Sequence, residues 1–360
     1  MVKILTVVGA RPQFIKACML SRLLQKNSNI HEVLVHTGQH YDDNMSSVFF
    51  NQLQLPTPSY NLNIGSGSHG KQTANMLSQL EEIMMLEKPS IVLVYGDTNS
   101  TLAGGLAASK LHIPIAHVEA GLRSYNKQMP EEINRVVTDH ISSVLFCPTQ
   151  AAVDNLKEEG IQKEVYLTGD IMYDAILYFK QYALKHSTIL TTLKLSEKEY
   201  YLTTIHRAEN TDDPHRLKTL LEALHQLDKV VIFPLHPRTK KCIEQANLTS
   251  MLTSSNIKTI DPLNYFDMLK LESNAKAILT DSGGVQKEAY MLKIPCITLR
   301  NETEWIETIE TKWNTLAGAS DSRKILQSVS ELKEPTYYPS LFGDGNTARE
   351  IITILSHFHA

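Results

Sequence analysis

A chain of 360 residues, 42% of them hydrophobic and 21% charged, is long enough for two globular domains and is not disordered in composition. Its formal net charge of -4 argues against a nucleic-acid partner held by general electrostatics, and no apolar run approaches the ~18 residues of a membrane helix. Four cysteines far apart, without CxxC spacing, predict the reduced thiols of a cytoplasmic protein rather than disulfides or a zinc site.

Short runs rich in β-branched residues alternate with helix-length segments along the chain. The predicted strands are residues 3–8, 32–36, 91–96, 114–118, 144–147 and 164–168 in the first half, and 200–205, 229–234, 257–260, 277–280 and 295–299 in the second. Near-continuous apolar runs such as Ile91–Val94 indicate strands buried on both faces, as in parallel sheets covered by helices. The pattern predicts an α/β protein with two Rossmann-like, doubly wound parallel-sheet domains.

The predicted domain boundary follows Asp170, before a polar and helix-rich region. We expect a Rossmann-like N-terminal domain at 1–170 and a second one at 171–343. Residues 344–360 end in a short amphipathic helix that we expect to pack back on the first domain. Because ligands of parallel α/β sheets bind beyond the C-terminal ends of the strands, the polar residues after each strand are the functional candidates.

The first two strands are followed by polar turns. Gly9-Ala10-Arg11-Pro12 leads into a helix, and Arg11 and Lys16 place positive charge near its start. Cations are poor partners for that end of a helix dipole, so an anionic ligand is the functional interpretation and two surface cations the default one. Gln39 lies in the polar turn 37–42 after the second strand.

Three carboxylates follow later strands of the first half. Asp97 comes directly after the strand 91–96, where an ordinary helix cap is the competing interpretation. Glu119 ends a buried strand, which is costly unless the carboxylate has a partner or a task. Pro130-Glu131-Glu132 begins a helix, and stabilisation by the helix dipole does not account for both glutamates.

The strands of the second half end in basic residues and a glycine turn. His206 and the pair His236 and Arg238 follow two of them, and Arg300 follows the strand 295–299. Ser282-Gly283-Gly284 leads from a strand into a helix, whose free N–H groups and dipole suit a diphosphate. Glu288, about one and a half turns into that helix, is placed to accept the hydroxyls of a ribose, although an ordinary turn with a solvated glutamate is the alternative.

These motifs, in this order, resemble those of the non-hydrolysing UDP-N-acetylglucosamine 2-epimerases, and the likeness runs nearly end to end. The matching segments are Gly9–Pro12, Gly96–Thr98, His117–Arg123, Pro130–Arg135, His206–Asn210 and Asp281–Gly284. The resemblance implies a GT-B-like arrangement of two Rossmann-like domains around a central cleft. It also implies a UDP-sugar substrate, no cofactor or metal, and a homodimer.

The resemblance assigns roles to the candidates. Asp97, Glu119 and Glu131 correspond to the carboxylates that transfer protons at the sugar, and with His206 they are the catalytic candidates. His206 and Arg11 also correspond to groups near the phosphates. The substrate-binding candidates are Arg11, Lys16, Gln39, Arg123, Arg135, His236, Arg238, Ser282, Gly283, Gly284, Glu288 and Arg300. We further expect Tyr265 or Phe266 to stack on the uracil.

The chemistry of the family explains the need for several acids. The C2 proton of an N-acetylhexosamine is not acidic, because no carbonyl is adjacent to it. The family's route from UDP-GlcNAc to UDP-ManNAc is anti elimination of UDP to a 2-acetamidoglycal, followed by return of UDP. Carboxylates stabilise positive charge at C1 and move the C2 proton, while cations support the leaving diphosphate. The product would serve cell-surface polysaccharide synthesis.

The chain departs from the commonest family pattern in three places. Gln13 stands where the opening motif usually has Glu, and Thr303-Glu304-Trp305 replaces a Thr-Glu-Arg-Pro stretch. Residues 41–45 and 65–70 differ from the typical regulatory-site residues. These variants resemble the branch that acts on UDP-2,3-diacetamido-2,3-dideoxyglucuronic acid, so that substrate is the alternative. Trp305 is then either beside a bulkier C3 group or a packed core residue.

Three other classes share parts of the pattern. A GT-B glycosyltransferase would have the same fold and nucleotide turn, but it would need an acceptor pocket rather than three carboxylates at strand ends. A hydrolysing 2-epimerase shares the first half-reaction and differs in the access of water to the glycal. A non-catalytic nucleotide-sugar sensor would not be expected to retain Asp97, Glu119 and Glu131.

Overall fold

In the computed structural model, which describes residues 2–39, 53, 55–253 and 256–357, the chain divides into two compact units. The first unit takes the chain up to Ala175 and again from Ser340 onwards, and the second is Ile176–Pro339. The division falls inside the helix Ile171–His186, whereas the sequence pattern places the boundary just before that helix. The segment 41–45, compared above with a regulatory site, lies outside the described residues, as do positions 40–42 of the polar turn.

The first unit is built on a seven-stranded parallel sheet with the order β3-β2-β1-β4-β5-β6-β7. Its strands are β1 (Val2–Val8), β2 (Ile30–His36), β3 (Tyr60–Asn61), β4 (Ile91–Tyr95), β5 (Ile115–Val118), β6 (Val144–Cys147) and β7 (Val165–Leu167). Its helices are α1 (Arg11–Leu24), α2 (His69–Glu87), α3 (Asn99–Lys110), α4 (Pro130–Ile141) and α5 (Gln150–Glu158), and α6 (Ile171–His186) leads into the second unit. The strand order reverses between β1 and β4, which is the switch point where such sheets bind ligands.

The centre of this sheet is apolar because β1 and β4 are covered on both faces. All five residues of β4 are buried, and Val94 packs in one core cluster with Val7 of β1 and Met76 of α2. Helix α3 lies close to the sheet, since a Cβ at Gly104 would stand only 3.2 Å from a methyl group of Val7. The tight packing holds the loops after β1 and β4 on a rigid base.

The second unit contains a six-stranded parallel sheet with the order β10-β9-β8-β11-β12-β13. Its strands are β8 (Tyr200–Thr204), β9 (Val230–Pro234), β10 (Ile257–Ile260), β11 (Ala277–Thr280), β12 (Cys296–Thr298) and β13 (Asn314–Leu316). Its helices are α7 (Ile189–Leu193), α8 (Ala208–Thr211), α9 (Pro214–His225), α10 (Pro237–Gln245), α11 (Tyr265–Asn274), α12 (Gly283–Met291), α13 (Ile306–Glu310) and α14 (Ser322–Ser330), with a 3₁₀ helix at Thr249–Thr253. The predicted α/β class with two doubly wound parallel sheets is confirmed.

The last helix, α15 (Thr347–His357), belongs to the first unit and packs on α1. Its first N–H groups are bound by a carboxylate of α6, because Thr347 N–H donates to Asp174 Oδ1 at 3.2 Å and Ala348 N–H to Oδ2 at 2.8 Å. The chain therefore crosses into the second unit and returns.

Two short strands were not predicted. β3 has two residues and β13 has three, and both form edges of their sheets. Neither Tyr60-Asn61 nor Asn314-Thr315-Leu316 is an apolar run, so the hydrophobic pattern does not mark them. Within the described ranges, no helix is long and apolar enough to cross a membrane. All four cysteines are free thiols, as predicted.

Candidate active site

Two carboxylates of the first unit lie at the ends of neighbouring strands, and each contacts a cation. Asp97 follows β4 and contacts the guanidinium of Arg135, while Glu119 follows β5 and contacts the ammonium of Lys16. The two pairs are adjacent, since a Cβ at Gly96 would stand 3.2 Å from Glu119 Oε2 and 3.6 Å from Lys16 Nζ. The predicted candidates Lys16, Asp97, Glu119 and Arg135 are therefore brought together. The Asp97 side chain remains 32% exposed, which leaves its carboxylate open to a ligand.

Glu119 has an unusual backbone. Its φ angle is 73°, in the left-handed region that residues with a Cβ rarely adopt. The N–H groups of Glu119 and Ala120 both donate to the carbonyl of Phe146 on β6, at 3.1 and 3.0 Å. Such backbone strain costs about 1–3 kcal/mol and persists where the surroundings enforce it, often at functional sites. The sharp turn directs the carboxylate back towards Lys16.

The two glutamates at the start of α4 have different environments. Glu132 is buried and accepts hydrogen bonds from Ser124 N–H (3.0 Å), Tyr125 N–H (2.8 Å) and the Arg135 guanidinium (3.1 Å). Glu131 is partly exposed and, among the residues described, has no hydrogen-bond or ion-pair partner. Glu132 thus fastens the loop before α4, and Glu131 is the one left available for chemistry. Sequence spacing could not separate them, because both fit the first turn of a helix.

Helix α4 also holds the backbone of Asp97. Asn134 Nδ2 donates to the carbonyl of Asp97 at 2.9 Å, one residue before the arginine that contacts the carboxylate. The N–H group of Gly96 donates to the Val118 carbonyl at 2.9 Å, which ties the turn to β5. Asp97 is therefore fixed at its main chain and at its side chain.

Gln13 fastens the turn after β1 to the loop after β4. Its Oε1 accepts the N–H groups of Gly9 and Ala10 at 2.8 and 3.1 Å. Its Nε2 lies 2.8 Å from the Tyr95 carbonyl and 3.0 Å from the hydroxyl oxygen of Thr98. An amide both accepts and donates, whereas a glutamate at this position would need a proton to donate. The departure from the family's usual Glu is therefore matched to the surrounding hydrogen bonds.

Three further residues of the first unit were predicted to contact the substrate: Gln39, Arg11 and Arg123. Gln39 Oε1 accepts the N–H and hydroxyl groups of Ser100 at 3.1 and 2.7 Å, and so caps α3. Arg11 is the first residue of α1 and is half-buried. Arg123 is buried and committed to Asp139 (2.7 Å) and, through two bonds of 2.6 and 2.7 Å, to Glu159. Arg123 is thus paired with two carboxylates of its own unit, and its contact with the substrate stays a prediction.

In the second unit, His206 stands at the end of β8 on a loop that a buried carboxylate holds. Asp281, fully buried after β11, accepts the N–H groups of His206 (3.1 Å) and Arg207 (3.0 Å), and an amide hydrogen of Asn210 (3.1 Å). The imidazole itself is 40% exposed, with Nδ1 3.4 Å from Asp281 Oδ1. The sequence places Asp281 in a matching motif, directly before Ser282, but local spacing assigns it no role.

Burial lowers the pKa of His206, and the nearby Arg207 and His236 add to this effect. The carboxylate of Asp281 opposes the shift, but the pKa remains below its ordinary value. Burial and the neighbouring Arg238 likewise lower the pKa of His236. The two imidazole rings lie 6.2 Å apart and are neutral at pH 7, so both can donate or accept a hydrogen bond.

The Ser282-Gly283-Gly284 turn opens α12, and its surroundings are acidic as well as basic. Ser282 caps the helix, and a Cβ at Gly283 would overlap with the carboxylate of Glu304. That carboxylate is bound by the buried Arg300 at 3.1 Å. Glu288 is half-buried on α12. The Trp305 indole is buried and donates to the Gly283 carbonyl at 2.9 Å, so it packs beneath the turn.

The remaining predicted contacts of this unit differ in exposure. Arg238 is paired with Asp212 through bonds of 2.7 and 2.6 Å at the surface, near the α10 cap His236. Tyr265 and Phe266 are 4% and 8% exposed and pack around Phe179 with ring centroids 5.8 and 5.6 Å away. Little ring surface is therefore open to a base at either position.

Comparisons with known proteins give one consistent result. A family profile described as UDP-N-acetylglucosamine 2-epimerase matches residues 22–356. A relative from Methanococcus maripaludis, named UDP-N-acetylglucosamine 2-epimerase homolog, is 53% identical over 356 residues, covering 98% of this chain and 99% of its own. The UDP-2,3-diacetamido-2,3-dideoxy-D-glucuronate 2-epimerase of Pseudomonas aeruginosa is 46% identical over 361 residues, covering 98% and 99%.

The fold is also similar to that of a solved structure. The crystal structure of Methanocaldococcus jannaschii UDP-GlcNAc 2-epimerase in complex with UDP-GlcNAc and UDP has a TM-score of 0.92 and 46% sequence identity. The match covers 99% of this chain and 100% of the other. The similarity extends over both units, and it confirms the GT-B-like fold class.

Proposed function

This chain belongs to the UDP-N-acetylglucosamine 2-epimerase family of isomerases, and on that premise we propose that it inverts C2 of a UDP-N-acetylhexosamine, converting UDP-GlcNAc to UDP-ManNAc without hydrolysis. The observation that carries the proposal is the pair of adjacent carboxylates, Asp97 and Glu119, each in contact with a cation at the ends of β4 and β5. Proton transfer at a carbon that is not acidic needs acids held in defined positions, and ion pairing supplies that order.

In the proposed reaction, the first unit acts on the sugar. One carboxylate removes the C2 proton as the bond between C1 and the UDP oxygen breaks, which leaves a 2-acetamidoglycal and UDP. UDP then adds back to C1 while C2 receives a proton on the opposite face. Asp97, Glu119 and Glu131 are the proposed proton-transfer and charge-stabilising groups, because all three are carboxylates of the same unit and Glu131 has no structural partner among the described residues.

We assign Lys16 and Arg135 to the orientation of these acids. Each cation is nearly buried, at 6% and 5% exposure, and contacts one carboxylate. Contact with a buried cation restricts the rotamers of the carboxylate, which suits a base that must point at one carbon. Removal of either cation should therefore impair the chemical step.

The second unit is proposed to bind UDP. The N–H groups at the start of α12 and the Ser282 hydroxyl suit the diphosphate, and Glu288 suits the ribose. His206 and His236 are neutral donors on neighbouring loops, and the negative charge of a nearby diphosphate would raise their lowered pKa values. Arg11 of the first unit is the proposed cation for the same phosphates.

UDP-2,3-diacetamido-2,3-dideoxyglucuronate is the second candidate substrate, with the same chemistry at C2. The favouring observations are 46% identity to the Pseudomonas aeruginosa enzyme and the residues Thr303-Glu304-Trp305. Trp305 is buried beneath the glycine turn and bonds to Gly283, so it would influence the shape of that turn rather than contact the C3 group. The product of either reaction is proposed to feed cell-surface polysaccharide synthesis.

Proton NMR of the pure protein with UDP-GlcNAc in heavy water, without added cofactor, tests the proposal. UDP-ManNAc carrying deuterium at C2 is the expected product. Turnover of the diacetamido uronate alone would assign the second substrate, and release of free ManNAc with UDP would identify a hydrolysing enzyme. Inertness towards both UDP-sugars would reject epimerase activity and favour a GT-B glycosyltransferase.

A further inference from the structure

A histidine in the middle of β5 lies between a carboxylate and the turn that carries Asp97. His117 is fully buried, with Nδ1 2.7 Å from Asp139 Oδ1 and Nε2 2.7 Å from the carbonyl oxygen of Gly96. Asp139 belongs to α4, and Gly96 is the residue before Asp97. The imidazole thus connects the helix to the turn through the interior of the first unit.

The partners of His117 determine where its protons are. A backbone carbonyl only accepts, so Nε2 must carry a hydrogen. Burial alone would raise the pKa of Asp139, but the hydrogen bonds and positive charges of His117 and Arg123 lower it below its ordinary value. The second Asp139 oxygen accepts the Gly121 N–H at 3.0 Å and the Arg123 guanidinium at 2.7 Å. Asp139 therefore accepts from Gly121 and Arg123 at one oxygen and faces Nδ1 of His117 with the other.

The Gly96 carbonyl belongs to the peptide group that precedes Asp97. Gly96 has a φ angle of 62°, and its carbonyl oxygen has the His117 ring as a buried donor. Asn134 holds the carbonyl of Asp97 at 2.9 Å, and Arg135 contacts its carboxylate. Three residues of α4 thus restrain the Gly96–Asp97 segment. Asn134 and Arg135 contact Asp97, and Asp139 holds the Gly96 carbonyl through His117.

We propose that His117 is a positioning residue for the epimerase reaction: its buried ring, held between Asp139 and the Gly96 carbonyl, locks the Gly96–Asp97 peptide so that the Asp97 carboxylate faces the sugar. This inference rests on the proposed function, in which Asp97 transfers a proton. His117 does not touch substrate. It acts by fixing the geometry of Asp97, and displacement of a reacting group by ~1 Å costs about 100-fold in rate.

The first experiment observes the histidine ring directly. The protein is labelled with ¹⁵N-histidine, and the two ring nitrogens of His117 are observed at the assay pH, with assignment by the disappearance of that signal in the His117→Gln protein. A protonated Nε2 that donates to the Gly96 carbonyl is expected. An unprotonated Nε2 would overturn the proposal.

The second experiment measures kinetics of His117→Gln and Asp139→Asn. A glutamine can still donate to one partner but cannot bridge both, so we expect kcat to fall about 100-fold while KM and the Kd for UDP change less than about twofold. The kinetic isotope effect on kcat with substrate deuterated at C2 should increase, because a misplaced Asp97 makes proton transfer more strongly rate-limiting.

Ile115→Ala is the matched control, since Ile115 is a buried residue of the same strand whose apolar side chain takes no part in these hydrogen bonds. It should lower the melting temperature and leave the isotope effect unchanged. A His117→Gln protein that resembles this control in kcat and isotope effect would reject positioning. If the wild-type protein epimerises neither UDP-sugar, the proposed function fails, while the NMR result still decides the protonation of His117.

Discussion

Carboxylates in the first unit are distinguished by the groups that contact them. Asp97 and Glu119 each contact one buried cation, Glu132 accepts several bonds from its own loop, and Glu131 is left without a partner among the described residues. A carboxylate whose acceptor sites are all occupied has no capacity left for a substrate proton. The number of hydrogen-bond and ion-pair partners therefore distinguishes Glu132, which is structural, from the three carboxylates that we propose as catalytic.

Replacement of the three proposed acids by neutral amides should abolish most of the turnover. Asp97→Asn, Glu119→Gln and Glu131→Gln are each expected to lower kcat about 10²–10⁴-fold, because an amide cannot accept the C2 proton. The Kd for UDP, measured by calorimetry, should change little. Wild-type rates in all three proteins would contradict the assignment; Glu158→Gln, at an exposed position on α5, is the surface control.

The same substitution in Glu131 and in Glu132 should have different effects. Glu132→Gln should lower the free energy of unfolding by about 1–3 kcal/mol, since its new amide hydrogens would face the N–H groups that the carboxylate accepted. Glu131→Gln should leave thermal unfolding unchanged and lower kcat. Reversed effects, with instability from Glu131→Gln alone, would show that the roles are exchanged.

His206 should respond to the nucleotide. Its pKa lies below the ordinary value in the free protein, so the imidazole is neutral at pH 7. A bound diphosphate adds negative charge nearby and should raise that pKa. An NMR titration of the ring protons with and without UDP measures the change. An unaltered titration would remove His206 from the phosphate site, and the exposed His215 serves as the reference signal.

The lowered pKa of His206 also determines how this residue affects stability as the pH changes. Because the folded protein binds the imidazole proton less readily than the unfolded chain, the contribution of His206 to the free energy of unfolding is fully present above the pKa of the unfolded chain, roughly 6.5. This contribution is lost as the pH falls through the lower pKa of the folded protein. UDP should reduce this loss.

At the scale of elements, α4 inverts the usual pattern of a surface helix. Its buried residues are Glu132, Asn134, Arg135, Thr138 and Asp139, whereas the Ile133 side chain is 51% exposed. A helix normally buries its apolar stripe. Here the polar face is inside because it supplies the partners of Asp97, of His117 and of the loop at 124–125.

The start of α12 is a second element, and its packing limits which residues fit there. A Cβ at Gly283 would overlap with Glu304, which Arg300 holds, so Gly283→Ala must displace a buried ion pair. We expect a loss of about 1–3 kcal/mol in unfolding free energy and weaker UDP binding. Gly284→Ala is the control for stability, because the nearest atom to its Cβ would be Ser282 Oγ at 3.9 Å. Equal melting temperatures for the two variants would contradict the steric argument.

At the scale of the whole molecule, the chain leaves the first unit through α6 and returns as α15. Asp174 of α6 links the two helices by accepting the first N–H groups of α15. Burial raises the pKa of this carboxyl, although the same hydrogen bonds lower it in part. The folded pKa therefore lies above the unfolded one, and ionisation of this group disfavours folding as the pH rises.

Asp174→Ala should destabilise the first unit, since it removes the cap of a helix that closes the unit. The expected loss is about 1 kcal/mol, with the usual range for caps of 0.5–2 kcal/mol. Thermal unfolding of the intact chain measures it, and Asp154→Ala on the exposed face of α5 is the control. No change in melting temperature would mean that water replaces the carboxylate without cost.

The fold class and most candidates at strand ends were predictable because their signals are local. Among the described residues, every strand of four or more residues was predicted from its apolar run, and the short edge strands β3 and β13 were omitted. The motif position of Arg123 reveals nothing about its partners Asp139 and Glu159, which lie 16 and 36 residues further on, and its contact with the substrate stays a prediction. His117 and Asp281 belong to the matching motifs but received no role, for the same reason.

The sequence by itself determined the two doubly wound sheets, the loops that carry the polar residues and the family resemblance, since hydrophobic periodicity and motif order are read along the chain. Only the tertiary structure decided which glutamate of α4 is free, which arginine is committed to the interior and which histidine bridges two elements. Those outcomes depend on the rotation of helices about their axes and on partners distant in sequence, and neither is recorded in local spacing.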